Sequence, residues 1–155
     1  IAAEMQTHVA AIQKKRNGII WIREMVDVPT KIALYSHAAV FCCPSVYEPF
    51  GIINLEAMAC ETPVVASAVG GIKEVVVNEE TGFLVPFKTD GKGPYEPHTP
   101  KQFEKDLARK INILMKDEPL RRKMGKAGRQ RAENHFGWPA VAKKTFELYL
   151  SLIRS

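Results

Sequence analysis

No apolar run in this chain approaches the roughly 20 residues needed to cross a bilayer, which excludes a spanning helix. Cysteine is scarce and odd in number: Cys42, Cys43 and Cys60 show neither a Cys-x-x-Cys pair nor metal-ligand spacing, so a disulfide framework is excluded and a reduced, cytoplasmic setting is expected. Histidine is equally sparse. His8, His37, His98 and His135 stand alone, without the close pairs that bind zinc, and are read as core or surface residues; no metal is expected. A signal-peptide pattern is missing, as are internal repeats and low-complexity tracts. The opening Ile-Ala-Ala-Glu has no initiator methionine and reads as mid-helix, which is expected of a piece of a longer protein.

What remains is an ordinary globular composition. With 155 residues, 46% hydrophobic and 25% charged, the chain fits a single domain with one core. The formal charge of +5 favours acidic ligands in a general way, but the excess sits in two places, Lys14-Lys15-Arg16 and a late cluster of Arg121, Arg122, Lys123, Lys126, Arg129 and Arg131. Solvated helix faces explain both. Nucleic acid as a partner is disfavoured, because the late cluster lacks the interleaved aromatics on which bases stack.

Along the chain, helix and strand alternate and then give way to helices alone. Helical patterns over Ala2 to Lys15, Pro29 to Ala38, Ile52 to Cys60 and Ile72 to Val77 alternate with apolar strands at Ile19 to Ile22, Ala39 to Cys43, Val64 to Ser67 and Phe83 to Val85. Four near-continuous apolar strands separated by helices predict an α/β fold, a doubly wound parallel sheet with right-handed crossovers. The α/β portion is expected over residues 1–87, and Gly91, Gly93, Pro94, Pro97 and Pro100 mark 88–100 as a loop. Three helices are expected over 101–155, roughly Lys101 to Lys116, Pro119 to Asn134 and Pro139 to Leu152. Ligands in such sheets bind beyond the carboxyl ends of the strands.

One such strand end carries the densest chemistry. The strand ending at Cys43 runs through Pro44 and Ser45 into a loop closed by Pro49 and Gly51, and a helix starts near Ile52. Free amides and the positive end of the dipole at that helix start favour a phosphate or hydroxyl oxygen, and Gly51 lets backbone approach closely. Glu48 precedes the helix and Glu56 lies inside it. Two carboxylates framing a helix N-terminus suit a polyhydroxylated, phosphorylated ligand. Ser45 and Tyr47 are read as satisfying local backbone groups. Gly70-Gly71 is read first as a tight strand-to-helix turn, with room beside the cleft for an acceptor chain as a second use.

Glu48 and Glu56, separated by seven residues, are followed by Thr62-Pro63-Val64-Val65-Ala66-Ser67, Gly70-Gly71-Ile72-Lys73-Glu74-Val75-Val76 and Thr81-Gly82-Phe83-Leu84-Val85. This ordered set resembles the signature of the retaining nucleotide-sugar glycosyltransferases, glycosyltransferases group 1 of the glycogen- or starch-synthase kind. The resemblance covers about Ile20 to Pro86. A weaker likeness at Phe136-Gly137-Trp138 matches the Phe-x-Trp that opens the family's last helix. Glu61 stands where the family usually has glycine and Lys73 where it usually has proline. At a helix C-terminus Glu61 forfeits an easy left-handed cap and meets the dipole unfavourably.

The resemblance implies the carboxy-terminal lobe of a two-domain, Rossmann-like GT-B enzyme, with a sugar nucleotide such as ADP-glucose or UDP-glucose as donor substrate, no further cofactor, and an α-glucan or other glycan acceptor. It implies that Glu48 contacts the donor sugar near the reacting carbon, as the catalytic contact. Backbone at Pro49, Phe50, Gly51 and Ile52 would meet sugar and phosphate, Glu56 the ribose, and the Met25 segment (Glu24-Met25-Val26-Asp27) the nucleobase. The arginine and lysine that embrace the diphosphate in the family fall upstream of Ile1, on the side of a missing amino-terminal domain, so the piece alone is expected to be inactive. A paired-carboxylate hydrolase is the chemical rival; it has no need of a phosphate-binding helix start. A non-catalytic α/β regulatory or phosphate-ligand-binding module is the functional rival, although none of the four expected strands ends in an aspartate placed to accept phosphate.

Overall fold

A computed structural model describes residues 2–89 and 97–153. The chain divides into two compact units, Ile1–Thr30 and Lys31–Ser155.

In the first unit, helix α1 (Ala2–Gln13) is followed by an irregular passage. Gly18 turns the chain at φ 91°, and the Gln13 side-chain amide donates to the Ile19 carbonyl at 2.9 Å. The run Ile19 to Ile22, expected as the first strand, forms none. A strand needs a neighbour for its N–H and C=O groups, and no second extended segment within this unit supplies one. Ile20 is accordingly exposed, and Trp21 carries the Arg23 guanidinium over its ring at 5.2 Å. At the end of the passage Asp27 accepts the Thr30 N–H at 2.9 Å and caps helix α2 (Val28–His37). Hydrogen bonds from the Thr30 hydroxyl and backbone hold the Asp27 carboxyl below its ordinary pKa.

The second unit is built on a parallel sheet of three strands among the described residues, β1 (Phe41–Cys43), β2 (Val64–Ser67) and β3 (Gly82–Val85), in that spatial order. Phe41 stands opposite Val64, and Val64 opposite Gly82. Helix α3 (Ile52–Ala59) crosses from β1 to β2 and the short α4 (Ile72–Val75) from β2 to β3. Strand β2 is buried throughout, as expected of a strand covered on both faces. Its alternating side chains divide the core in two. Val64 and Ala66 pack with Met58, Ile72, Val75 and Ala132, while Val65 packs with Phe83, Val85, Leu114 and Met124.

Helices α5 (Pro100–Lys116) and α6 (Glu118–Arg131) follow, Asp117 capping the second through the Leu120 N–H at 2.9 Å. The expected helix over Pro119 to Asn134 closes earlier: after Arg131 the chain widens into a π-helical turn, Ala132–Phe136, and α7 (Trp138–Ile153) starts beyond Gly137. Pro139 cannot donate to the carbonyl of residue 135, so the older helix cannot run through. Much of the late basic cluster is fastened to the fold. Arg121 donates to the Leu114 carbonyl, Arg122 pairs with Glu118, Arg129 pairs with Glu133, and Arg131 donates to the carbonyls of Val75 and Glu74 at 2.8 and 2.7 Å.

Helix α3 closes against expectation. Glu61 takes the left-handed cap at φ 60° although it is not glycine: its N–H reaches the Met58 carbonyl and the Thr62 N–H the Ala57 carbonyl, both at 3.0 Å, a Schellman arrangement. Satisfying two end carbonyls outweighs the steric cost of the conformation. Most of the expected 88–100 loop lies outside the described residues, and its last member, Pro100, opens α5. No helix among the described residues is long and apolar enough to cross a membrane.

Candidate functional site

The segment 44–51 leaves the carboxyl end of β1 and delivers the chain to the N-terminus of α3. Gly51 makes the turn at φ 99°, ψ 41°, a left-handed conformation that L side chains rarely adopt. Its carbonyl accepts from the Asn54 N–H at 2.9 Å, and no side chain caps the helix. With the Asn54 N–H served by Gly51, the Ile52 and Ile53 amides are left with no acceptor among the described residues, the arrangement that suits an anion or hydroxyl oxygen.

Glu48 is half-buried in this loop, and its carboxylate makes no hydrogen bond or ion pair among the described residues. Its Cγ lies 3.7 Å from where a Cβ on Gly51 would be, so the side chain runs beside the helix start. Its backbone is clamped from behind: the Glu48 carbonyl accepts the Gly71 N–H at 3.0 Å. Gly70, at φ 44°, and Gly71 lie so close that a Cβ on the first would strike the Glu48 carbonyl and one on the second the Phe50 Cα. The space expected beside the glycine pair for an acceptor chain is thus filled by the Glu48–Phe50 backbone; the tight-turn reading holds.

Phe50 stands edge to face with Phe136 of the π-helical turn, ring centres 5.9 Å apart, and Arg131 lies over the Phe136 ring at 5.5 Å. Pro49 is exposed and Ile52, the first residue of α3, is 63% exposed. Two buried polar atoms near this turn, Asn54 Oδ1 and Ser67 Oγ, have no hydrogen-bond partner among the described residues.

Glu56 lies one turn into α3, on the same face as Ile52. Both line a groove of about 320 Å³ whose other walls include Leu55, Ala59, Ala132 and Phe136. Glu48 and Pro49 are not among its walls. The Glu56 carboxylate is held at both oxygens: Lys31 Nζ donates to Oε1 at 2.6 Å and the Tyr35 hydroxyl to Oε2 at 3.3 Å. Burial first, then the charge and hydrogen bond of Glu56, push the Tyr35 hydroxyl up to about 12. Met25 belongs to the Ile1–Thr30 unit, where it is fully exposed.

The sequence patterns thus mark Glu48, Gly51, Ile52 and Glu56 around one helix start but miss Lys31, Tyr35 and Phe136. Lys31 and Tyr35 had only their one-turn spacing on α2 as a signal, and nothing in the sequence ties them to Glu56, 25 and 21 residues away. Phe136 was noted only as part of Phe136-Gly137-Trp138.

Comparison with known proteins places these features in context. The model of the glycosyl transferases group 1 matches residues 8–92. The alpha-maltose-1-phosphate synthase of Mycolicibacterium smegmatis is 44% identical over 149 residues, 96% of this chain and 36% of that protein. Among solved structures, the sucrose-phosphate synthase of Thermosynechococcus elongatus superposes with a TM-score of 0.74 at 36% identity, over 98% of this chain and 35% of the other. The C-terminal domain of a glycosyl transferase group 1 family protein (LpcC) from Francisella tularensis superposes at 0.69 and 26% identity, over 87% and 64%. The chain spans about a third of the length of the two synthases it resembles.

Proposed function

The chain belongs to the glycosyl transferases group 1, and from that premise we propose that it supplies the donor-binding, carboxy-terminal lobe of a retaining hexosyltransferase. The substrate is a nucleoside diphosphate sugar, ADP-glucose or UDP-glucose, and the hexose passes to an α-glucan or another glycan. The α/β architecture is that of the carboxy-terminal lobe of GT-B glycosyltransferases.

The observation that carries this reading is the start of α3, where an uncommitted Glu48 carboxylate, a left-handed Gly51 and the unpaired amides of Ile52 and Ile53 converge. Glu48 faces the donor sugar at the carbon that reacts, where a carboxylate stabilises growing positive charge in an oxocarbenium-like transition state. Backbone at Pro49, Phe50, Gly51 and Ile52 receives the sugar and the departing diphosphate, whose developing negative charge the helix start favours. Glu56 accepts hydrogen bonds from the ribose. An amino-terminal lobe supplies the acceptor side and the cations for the diphosphate, so the chain by itself binds without turning over. The working compartment is the cytoplasm.

The test is transfer by the full-length protein. With ADP-glucose, UDP-glucose and GDP-mannose offered in turn, one donor supports transfer. Glu48→Ala lowers kcat by about a hundredfold or more, the scale of a lost transition-state contact. Glu56→Ala chiefly raises KM for the donor. Wild-type transfer rates in both variants refute the assignment, and binding of phosphate ligands with no transfer from any donor favours the regulatory-module reading.

A further inference from the structure

The proposed ribose contact, Glu56, does not stand alone. Lys31 and Tyr35 are four residues apart on α2 and so face the same way. Each takes a different oxygen of the carboxylate, Lys31 Nζ to Oε1 at 2.6 Å and Tyr35 Oη to Oε2 at 3.3 Å. A carboxylate bonded at both oxygens cannot rotate about its terminal torsion, which otherwise is broad. Each oxygen still has acceptor capacity to spare, and the pair is not sealed: the Lys31 and Glu56 side chains are 38% and 32% exposed.

Tyr35 is itself fixed. Its ring stands edge to face on Phe41 with centres 5.3 Å apart, and its carbonyl accepts the Thr62 hydroxyl at 2.6 Å, tying α2 to the chain just beyond α3. A half-exposed lysine–glutamate pair contributes little to stability on average. The fixed tyrosine, the contact at both oxygens and the retained access together point to orientation of an acceptor.

Resting on the reading of Glu56 as the ribose contact, we propose that Lys31 and Tyr35 are positioning residues that hold the Glu56 carboxylate in the plane needed to accept both hydroxyls of a ribose 2′,3′-diol. Lys31 has a second effect: its charge offsets that of Glu56, which would otherwise repel the donor's diphosphate. The site therefore selects ribonucleotides through residues that never touch them.

The experiment measures affinity of the full-length protein for ADP and UDP and for their 2′,3′-dideoxy counterparts, and takes the ribo-to-dideoxy ratio for each variant. Because both ligands meet the same folded protein, a change in stability cancels from the ratio. The wild type prefers the ribo form and Glu56→Gln loses most of that preference. Lys31→Met lowers the ratio about tenfold, the size expected when a charge-assisted hydrogen bond to a binding group is lost. Lys31→Arg restores it, Tyr35→Phe lowers it less, and Lys31→Met adds nothing in a Glu56→Gln background. If Glu56→Gln lowers the ratio while Lys31→Met and Tyr35→Phe leave it at the wild-type value, the positioning role is refuted and the ribose contact stands. If the wild type shows no preference for the ribo form, the ribose contact fails and the positioning role with it.

Discussion

Adding a single methyl group to either glycine of the 70–71 pair tests how tightly the Glu48 loop is held. Gly71 has an ordinary right-handed backbone (φ −69°), so Gly71→Ala introduces only the clash of its Cβ with the Phe50 Cα and the Pro49 carbonyl. Backbone cannot swing aside as a side-chain tip does, and overpacking of this kind costs about 1–3 kcal/mol. Lower entropy in the unfolded chain returns about 0.4–1 kcal/mol. Gly70→Ala meets the Glu48 carbonyl and, at φ 44°, also takes on the left-handed penalty of roughly 1–2 kcal/mol. The expected order is Gly70→Ala worse than Gly71→Ala by about 1 kcal/mol or more, with net losses of roughly 1–4.5 kcal/mol for Gly70→Ala and roughly 0–2.5 kcal/mol for Gly71→Ala. With a urea slope of about 2 kcal/mol per molar, these shift the unfolding midpoint down by roughly 0.5–2 M for Gly70→Ala and by up to roughly 1 M for Gly71→Ala. Urea titration followed by circular dichroism reads both. If Gly70→Ala unfolds within about 0.2 M of the wild type, the loop and the turn do not touch as described, and the fixed placement of Glu48 must be given up.

Three further outcomes rest on single residues of the fold. Glu61→Gly, which relieves φ 60° at the end of α3 and removes an acid from the negative pole of the helix, should stabilise by about 1 kcal/mol in the same titration. Asp27→Ala should destabilise α2 through loss of the Thr30 cap; because the Asp27 pKa is lowered in the fold, that difference is present above its unfolded value and disappears as the pH falls through the folded one, which melting curves against pH will show. The Tyr35 hydroxyl, raised from 10.0 to about 12, keeps its proton longer in the folded than in the unfolded chain, so its contribution is complete below pH 10.0 and is lost as the pH rises through about 12. In ultraviolet titration of phenolate, Tyr35→Phe should remove an ionisation that lies well above pH 10.0.

The legible parts of this fold were those whose signal is local. Val64 to Ser67 was found to the residue, because an apolar run between Pro63 and the glycine pair fits little else. The start of α3 could be read from Pro49, Gly51 and the spacing of Ile52 and Leu55. Ile19 to Ile22 shows the limit: it has the composition of a buried strand, but composition does not say whether a partner lies beside it. The brace on Glu56 was hidden for a related reason, since it joins two helices through side chains that look like surface residues in the sequence. The π-helical turn has no propensity signature; Pro139 fixes where a helix must break, and the turn that results sets Phe136 against Phe50.

Phe50 leans on a ring supplied 86 positions later, at Phe136. During synthesis the sheet and its crossovers are made before this aromatic rest, which is delivered only once the chain has been extended past Phe136. Completion of the ligand edge is thereby coupled to completion of the tail, and a nascent chain arrested before Phe136 would present the loop without its backstop.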